Sequence, residues 1–304
     1  MRALKKRRMK KSWDDRLFDW ISGLLLICFV IIVFYPIYFV VIASVTDPVY
    51  VNNGSILLYP KGFTLLGYEK VFQDKRIWLG YGNTILYTVA GTALGTAAVV
   101  LAGYALSRKD LPGRKILMKL MVFTMYFGGG MIPFYLVVKS LGMVNSRFAM
   151  IILGSVSAYN IIMVRSFMES NIPNELMDAA KIDGCGNGRF FYQIVMPLSK
   201  AIIAVIVLYI AVGYWNSYFN AMIFLTDSDK YPLQLYLREI LMMSTAASNP
   251  QNIISDPETL IQMEKMTQVI RYGVIVVSTV PIICVYPFVQ KFFVKGVMIG
   301  SIKG

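Results

Sequence analysis

The sequence predicts an all-α polytopic membrane protein with six transmembrane helices, and three observations carry that prediction. Hydrophobic residues make up 57% of the chain and charged residues 15%, where a soluble domain carries roughly 25% charged residues. Several windows of about 20 residues, the length a helix needs to cross the hydrocarbon layer, contain no Lys, Arg, Asp or Glu. The basic residues gather outside those windows, and a dense group (Arg2, Lys5, Lys6, Arg7, Arg8, Lys10, Lys11, Arg16) precedes the first of them.

The first span is predicted over 18–44. Its apolar core, 21–44, is longer than the roughly 7 to 15 residues of a signal peptide, so it reads as an uncleaved transmembrane helix. The second, 78–106, carries Gly91, Gly95 and Gly103 on one stripe at multiples of four. Such a stripe lets another helix approach closely where lipid supplies no hydrophobic drive, or else it reflects the general glycine content of membrane helices. The third, 116–138, contains Gly128, Gly129 and Gly130 followed by Pro133. Backbone groups freed at such a break need protein or water, so a kink facing the bundle interior is expected. The remaining spans are predicted over 148–167, 201–225 and 272–293. With the N-terminus inside, the cytoplasmic segments hold roughly twice the Lys and Arg of the opposite side, which predicts two cytoplasmic termini.

Composition also excludes function classes. The chain has no histidine, which removes the usual general base near neutral pH, the commonest zinc ligand and every Ser-His or Cys-His pair. Cys28, Cys185 and Cys284 lie far apart, so neither a disulfide framework nor a metal cage is expected. A net charge of +13 would suggest nucleic acid in a soluble protein. Here the leading basic group reads as an anchor on anionic lipid, and no nucleic-acid partner is expected. No G-x-x-x-x-G-K-[ST] phosphate loop occurs, so the chain does not hydrolyse ATP by that route. Catalytic residues, metal and cofactors are all expected to be absent.

A connection of about 30 residues between the fourth and fifth spans is long for a simple turn. Pro173 suits a first helical turn, and Glu175 and Asp178 follow where the helix dipole favours negative charge. Leu176, Ala179 and Ala180 recur at i, i+3 and i+4 as a narrow apolar face, and Gly184 is free to take the left-handed conformation that stops the helix. Phe190, Phe191, Ile194 and Val195 then form a second apolar face, and Pro197 is expected to start the fifth span. A helix docked in a groove of another protein and an amphipathic segment lying on headgroups both fit this spacing.

The run Glu175, Leu176, Met177, Asp178, Ala179, Ala180, Lys181, Ile182, Asp183, Gly184, with Ile194 and Pro197, resembles the EAA loop of binding-protein-dependent ABC importer permeases. In that family this segment is the coupling helix that docks into the ATPase. Asp178 departs from the pattern, standing where the family most often has Glu. Asn83 and Thr84, Trp215 and Asn216, the run from Tyr231 to Gln234 and the tail from Lys295 to Gly304 are similar to the MalG-like carbohydrate-uptake subfamily. The resemblance implies a type I ABC importer permease fold. It divides the chain into a basic tail (1–16), a first helix with its external loop (17–76), a permease core (77–294) and a cytoplasmic tail (295–304). The core includes a coupling loop (170–197) and an external loop (226–268).

The resemblance further implies a sister permease subunit in a heterodimer, an ABC ATPase dimer, an extracytoplasmic sugar-binding protein and transport by alternating access. ATPase coupling then falls to Glu175, Leu176, Asp178, Ala179, Ala180, Asp183 and Gly184, and Gly300, Lys303 and Gly304 form an ATPase-facing tail. Around the end of the fifth span, Tyr214, Trp215, Asn216, Tyr218 and Asn220 offer ring faces and amides suited to a sugar. The same residues also fit an interfacial aromatic belt with interhelical hydrogen bonds. The spans hold almost no ionisable residue, which favours a neutral solute and disfavours a stand-alone secondary transporter.

Overall fold

The computed structural model describes residues 12–56, 58–247, 270–284 and 287. The basic residues Arg2 to Lys11, the far end of the predicted sixth span, part of the external loop and the tail residues Gly300, Lys303 and Gly304 lie outside the described residues. The described chain is helices and turns, and its β contact is an isolated antiparallel bridge between Thr46 and Phe63.

Two compact units divide it: Met1–Glu69 with Ile254–Val276, and Lys70–Ile253 with Val277–Gly304. In the first, α1 (Trp13–Ser44) starts where the Ser12 backbone N–H donates to Asp15 Oδ2 at 3.1 Å. It buries only Ile42, Ala43 and Ser44, leaving its apolar length to lipid or another chain. After α2 (Pro48–Asn52) the chain reaches α3 (Leu66–Gln73), where the Tyr68 hydroxyl lies 2.7 Å from that of Ser44.

The second unit is organised on α4 (Lys75–Ser107), capped by Asp74, whose side chain accepts from the Arg76 N–H. It packs against α8 (Ala158–Asn171) and α12 (Lys200–Trp215). The face that makes those contacts carries Gly91, Gly95 and Gly103. A Cβ at Gly91 would fall on the Tyr214 ring, one at Gly95 on the Ser155 carbonyl, and one at Gly103 2.6 Å from Val164. Close approach is therefore the use these glycines serve. Around them Val99, Val164, Val195 and Ile206 are sealed from solvent.

The end of α4 nearest Asp74 grips a distant loop. Asn83 Nδ2 donates to the carbonyls of Asp229 at 2.8 Å and Tyr231 at 3.1 Å, and the Tyr87 hydroxyl donates to Lys230 O at 2.8 Å. The Thr84 hydroxyl accepts from the Leu233 N–H at 2.8 Å, at the start of α14 (Leu233–Ala247). Two separate sequence features, the Asn83 and Thr84 pair and the run from Tyr231, thus meet. Asn83→Ala would strand two partly buried carbonyls and is expected to destabilise the chain by roughly 1–3 kcal/mol. Thermal unfolding in detergent checks this, and an unchanged midpoint would count against the bonds mattering.

The predicted third span is two helices, α5 (Arg114–Tyr126) and α6 (Met131–Ser140), bent by 115°. Gly130 takes φ +83, and Pro133 lacks the N–H that would continue the ladder, so the break is a reversal; its glycines 128–130 are exposed in this chain and do not face its interior as expected. The fourth is divided into α7 (Arg147–Ile152) and α8 by a turn in which Gly154 takes φ +88. The fifth is also broken. At the end of α12, Asn216 Nδ2 donates back to Val212 O at 2.9 Å, competing with the backbone, and α13 (Phe219–Phe224) follows.

Pro197 does not start the fifth span. It lies in α11 (Met196–Leu198), which continues from α10 (Asn187–Phe190) through a wide π turn at Phe191–Val195. This segment bends by 79° before α12, and Phe190, Phe191 and Val195 are buried in the core of the same unit. Among the described residues α1 and α4 are long and apolar enough to cross a membrane, and four spans result if each bent pair counts as one. The final described helix is α15 (Ile270–Cys284).

Candidate functional site

The connection singled out in the sequence folds as α9 (Asn174–Ile182), carried between α8 and α10. Helix α8 ends where Asn171 Nδ2 donates back to Phe167 O at 2.8 Å. Pro173 then serves as the N-cap of α9 in an extended conformation, one residue ahead of the expected first turn. At the far end Gly184 takes φ +71, its N–H donating to Lys181 O at 3.0 Å, and the Cys185 N–H donates to Ala180 O at 2.8 Å. These bonds satisfy the last carbonyls and stop the helix.

The helix has two unlike faces. Met177 and Ala180, three residues apart, point inward, with Ala180 7% exposed, and Cys185 packs beside them. Leu176, Ala179 and Ile182, again three apart, point outward, flanked by Glu175, Asp178, Asp183 and Gly184. Ile182 is 87% exposed. The sequence pattern groups Ala180 with Leu176 and Ala179, and at about 100° per residue it lies between Leu176 and Met177; packing, not spacing, puts it with Met177 on the buried side. Ile182 is a member of the strip that the sequence reading omits, and its signal is the continued three-residue spacing from Leu176. The helix therefore presents an apolar strip edged by acids, a pattern that suits a protein groove or lipid headgroups alike.

The segment is anchored from behind. Phe191 packs on Tyr104 of α4 with ring centroids 4.9 Å apart. At the adjoining turn, the hydrogen bond from Arg108 is the main reason the Asp110 carboxyl is lowered to about 2, and the guanidinium is in turn shifted up. Both groups keep their charges at neutral pH.

The residues near the end of the fifth span separate into two sets. Tyr214 is buried against Gly91, its hydroxyl donating to the Ile151 carbonyl. Trp215 Nε1 donates to Ser278 O at 3.2 Å, and Asn216 is committed to Val212. Tyr218 is 42% exposed, with the Arg238 guanidinium 5.9 Å from its ring centroid. Asn220 lines a cavity of about 370 Å³ with Gly128, Gly130, Phe134 and Phe219. Gly300, Lys303 and Gly304 lie outside the described residues. Among the described residues no group of His, Cys, Asp and Glu could hold a metal ion.

No protein-family model matches the chain. It is 41% identical over 294 residues to the polygalacturonan/rhamnogalacturonan transport system permease protein YtcP of Bacillus subtilis, covering 95% of this chain and 99% of that protein. It is 37% identical over 296 residues to protein LplC of the same organism, covering 97% and 98%. A chain in the crystal structure of a bacterial ABC transporter involved in the import of the acidic polysaccharide alginate superposes with a TM-score of 0.83 at 33% identity. That match covers 94% of this chain and 99% of the other.

Proposed function

The chain belongs to the permease subunits of carbohydrate ABC importers, and on that premise we propose that it forms half of a saccharide pathway driven through α9 by a separate ATPase. As a transport-system permease it is a multi-pass protein of the bacterial membrane and not an enzyme. The observation that carries the proposal is the outward strip of Leu176, Ala179 and Ile182 on a helix ended by left-handed Gly184. Docked in an ATPase groove, that strip leaves water, and Glu175, Asp178 and Asp183 remain at the rim to pair with basic groups.

The other half of the pathway is a sister permease, and the solute arrives from an extracytoplasmic binding protein. The excess of Lys and Arg on the α9 side supports cytoplasmic termini. Closure of the ATPase dimer moves α9, and the bundle alternates between inward-open and outward-open states. Tyr218, Asn220 and the exposed Asn216 remain as pathway residues, because Tyr214 and Trp215 spend their polar atoms within the fold. The polysaccharides in the relatives' names support an oligomeric saccharide, and the charge-poor spans make an uncharged one the second reading.

Proteoliposomes holding the complete importer are expected to accumulate, with ATP, the saccharide its binding protein retains. Offering uronate-containing and uncharged oligosaccharides in parallel separates the two cargo readings. ATP hydrolysis stimulated by the loaded binding protein without any saccharide uptake would sink the proposal.

A further inference from the structure

The turn that follows α4 holds the chain on both sides of α9. On the entry side, Glu169, near the end of α8, pairs with Arg165 at 2.7 Å and with Arg114, the first residue of α5. Arg114 Nε also donates to Leu106 O at 2.8 Å, so one side chain ties the end of α4 to the end of α8. On the exit side, Arg108 Nη1 donates to Asn187 Oδ1 at 2.9 Å, where α10 begins. Arg108 is itself fixed by Asp110, with Nε to Oδ1 at 2.8 Å, and by the Tyr104 hydroxyl at 3.1 Å. Between the two grips lies a cavity of about 280 Å³ reached by Arg114, Glu169, Asn174 and Met177.

We propose that Glu169 and Arg108 are positioning residues that clasp both ends of the docking segment to the 106–114 turn, so that movement of α9 is passed sideways into α4. The inference rests on the reading that α9 docks the ATPase. Helix α9 has Ala180 as its one buried residue and joins its neighbours through short turns. Without lateral ties, a push on it would be absorbed by rotation at Ile172–Pro173 and at Gly184. With them, the push reaches α4, the helix against which α8 and α12 both pack. Glu169 is the critical charge, because Arg114 and Arg165 share it and would face each other without it.

The test uses the assembled importer in proteoliposomes and reads saccharide imported per ATP hydrolysed, alongside ATPase co-purification. Glu169→Gln and Arg108→Gln are each expected to lower that ratio about fivefold or more, the low end of typical site-to-site coupling. ATPase recovery and basal hydrolysis should stay at wild-type level, since neither residue is on the outward face of α9. Asn187→Ala, at an exposed position, should lower the ratio without threatening the fold. Adding it to Arg108→Gln should have little further effect, because both remove one bond. An unchanged ratio in the Asn187→Ala importer, or in Glu169→Gln importer recovered with its ATPase, overturns the clasp. Absence of the ATPase from the wild-type assembly would instead overturn the docking of α9.

Discussion

Gly184→Val is expected to strip the ATPase from the purified importer by tenfold or more while leaving this chain inserted at normal amounts. Gly184 sits at φ +71, and a Cβ there would meet nothing within 4 Å, so the cost is backbone conformation and not collision. A β-branched residue held in the left-handed region costs about 1–3 kcal/mol. A tenfold loss of docking corresponds to about 1.4 kcal/mol, within that range. The strain is relieved by unwinding the last turn, which breaks the bonds from Gly184 to Lys181 O and from Cys185 to Ala180 O. Ile182 and Asp183 then leave the surface they shared with Leu176 and Ala179. Gly184→Asn, whose side chain tolerates the left-handed region, should retain the ATPase within about twofold. Quantifying ATPase recovered with a tagged chain checks both variants, and normal recovery with Val would count against α9 as the docking element.

Gly91→Leu has the opposite signature, loss of the folded chain itself. Its first side-chain carbon would occupy the position of the Tyr214 ring, and α4 and α12 cannot separate without uncovering Ile206 and Ile210. Overpacking of this kind costs about 3 kcal/mol or more, since the obstacle is a ring pinned by its hydroxyl to Ile151 O and not a free side-chain tip. Gly82 is the internal control. It lies in the same helix, is exposed, and has open space where a Cβ would go. Gly82→Ala should leave stability unchanged or raise it by up to about 1 kcal/mol through helix propensity. Size-exclusion recovery and thermal unfolding distinguish the outcomes, and a monodisperse Gly91→Leu protein with a normal midpoint would refute the packing account.

Much of α9 is legible in the amino-acid order alone, because its signals are local. The stop at Gly184, the acids near the first turn and the apolar spacing all act within one helical turn or two. The split between outward Ala179 and inward Ala180 is not legible there, since both are small apolar residues and only the body behind the helix distinguishes them. The clasp leaves no signal at all. Arg108, Arg114 and Glu169 look in sequence like ordinary charges near the ends of spans, and Arg108 and Asn187 are 79 residues apart. The aromatic residues near the end of the fifth span are ambiguous for the same reason. Tyr214 and Tyr218 are alike in type, yet one closes on Ile151 and Gly91 and the other is open.

By itself, the sequence determined that this chain is helical and membrane-embedded, where its apolar segments fall, and where α9 stops. Those properties follow from composition and from interactions between residues a few positions apart. Only the tertiary structure decided that the third and fifth spans are bent, that Gly91 serves Tyr214, that Asn83 holds the loop before α14, and that α9 is held on both sides by the 106–114 turn. Each of these joins groups distant along the chain, and a contact of that kind exists only once packing has brought its partners together.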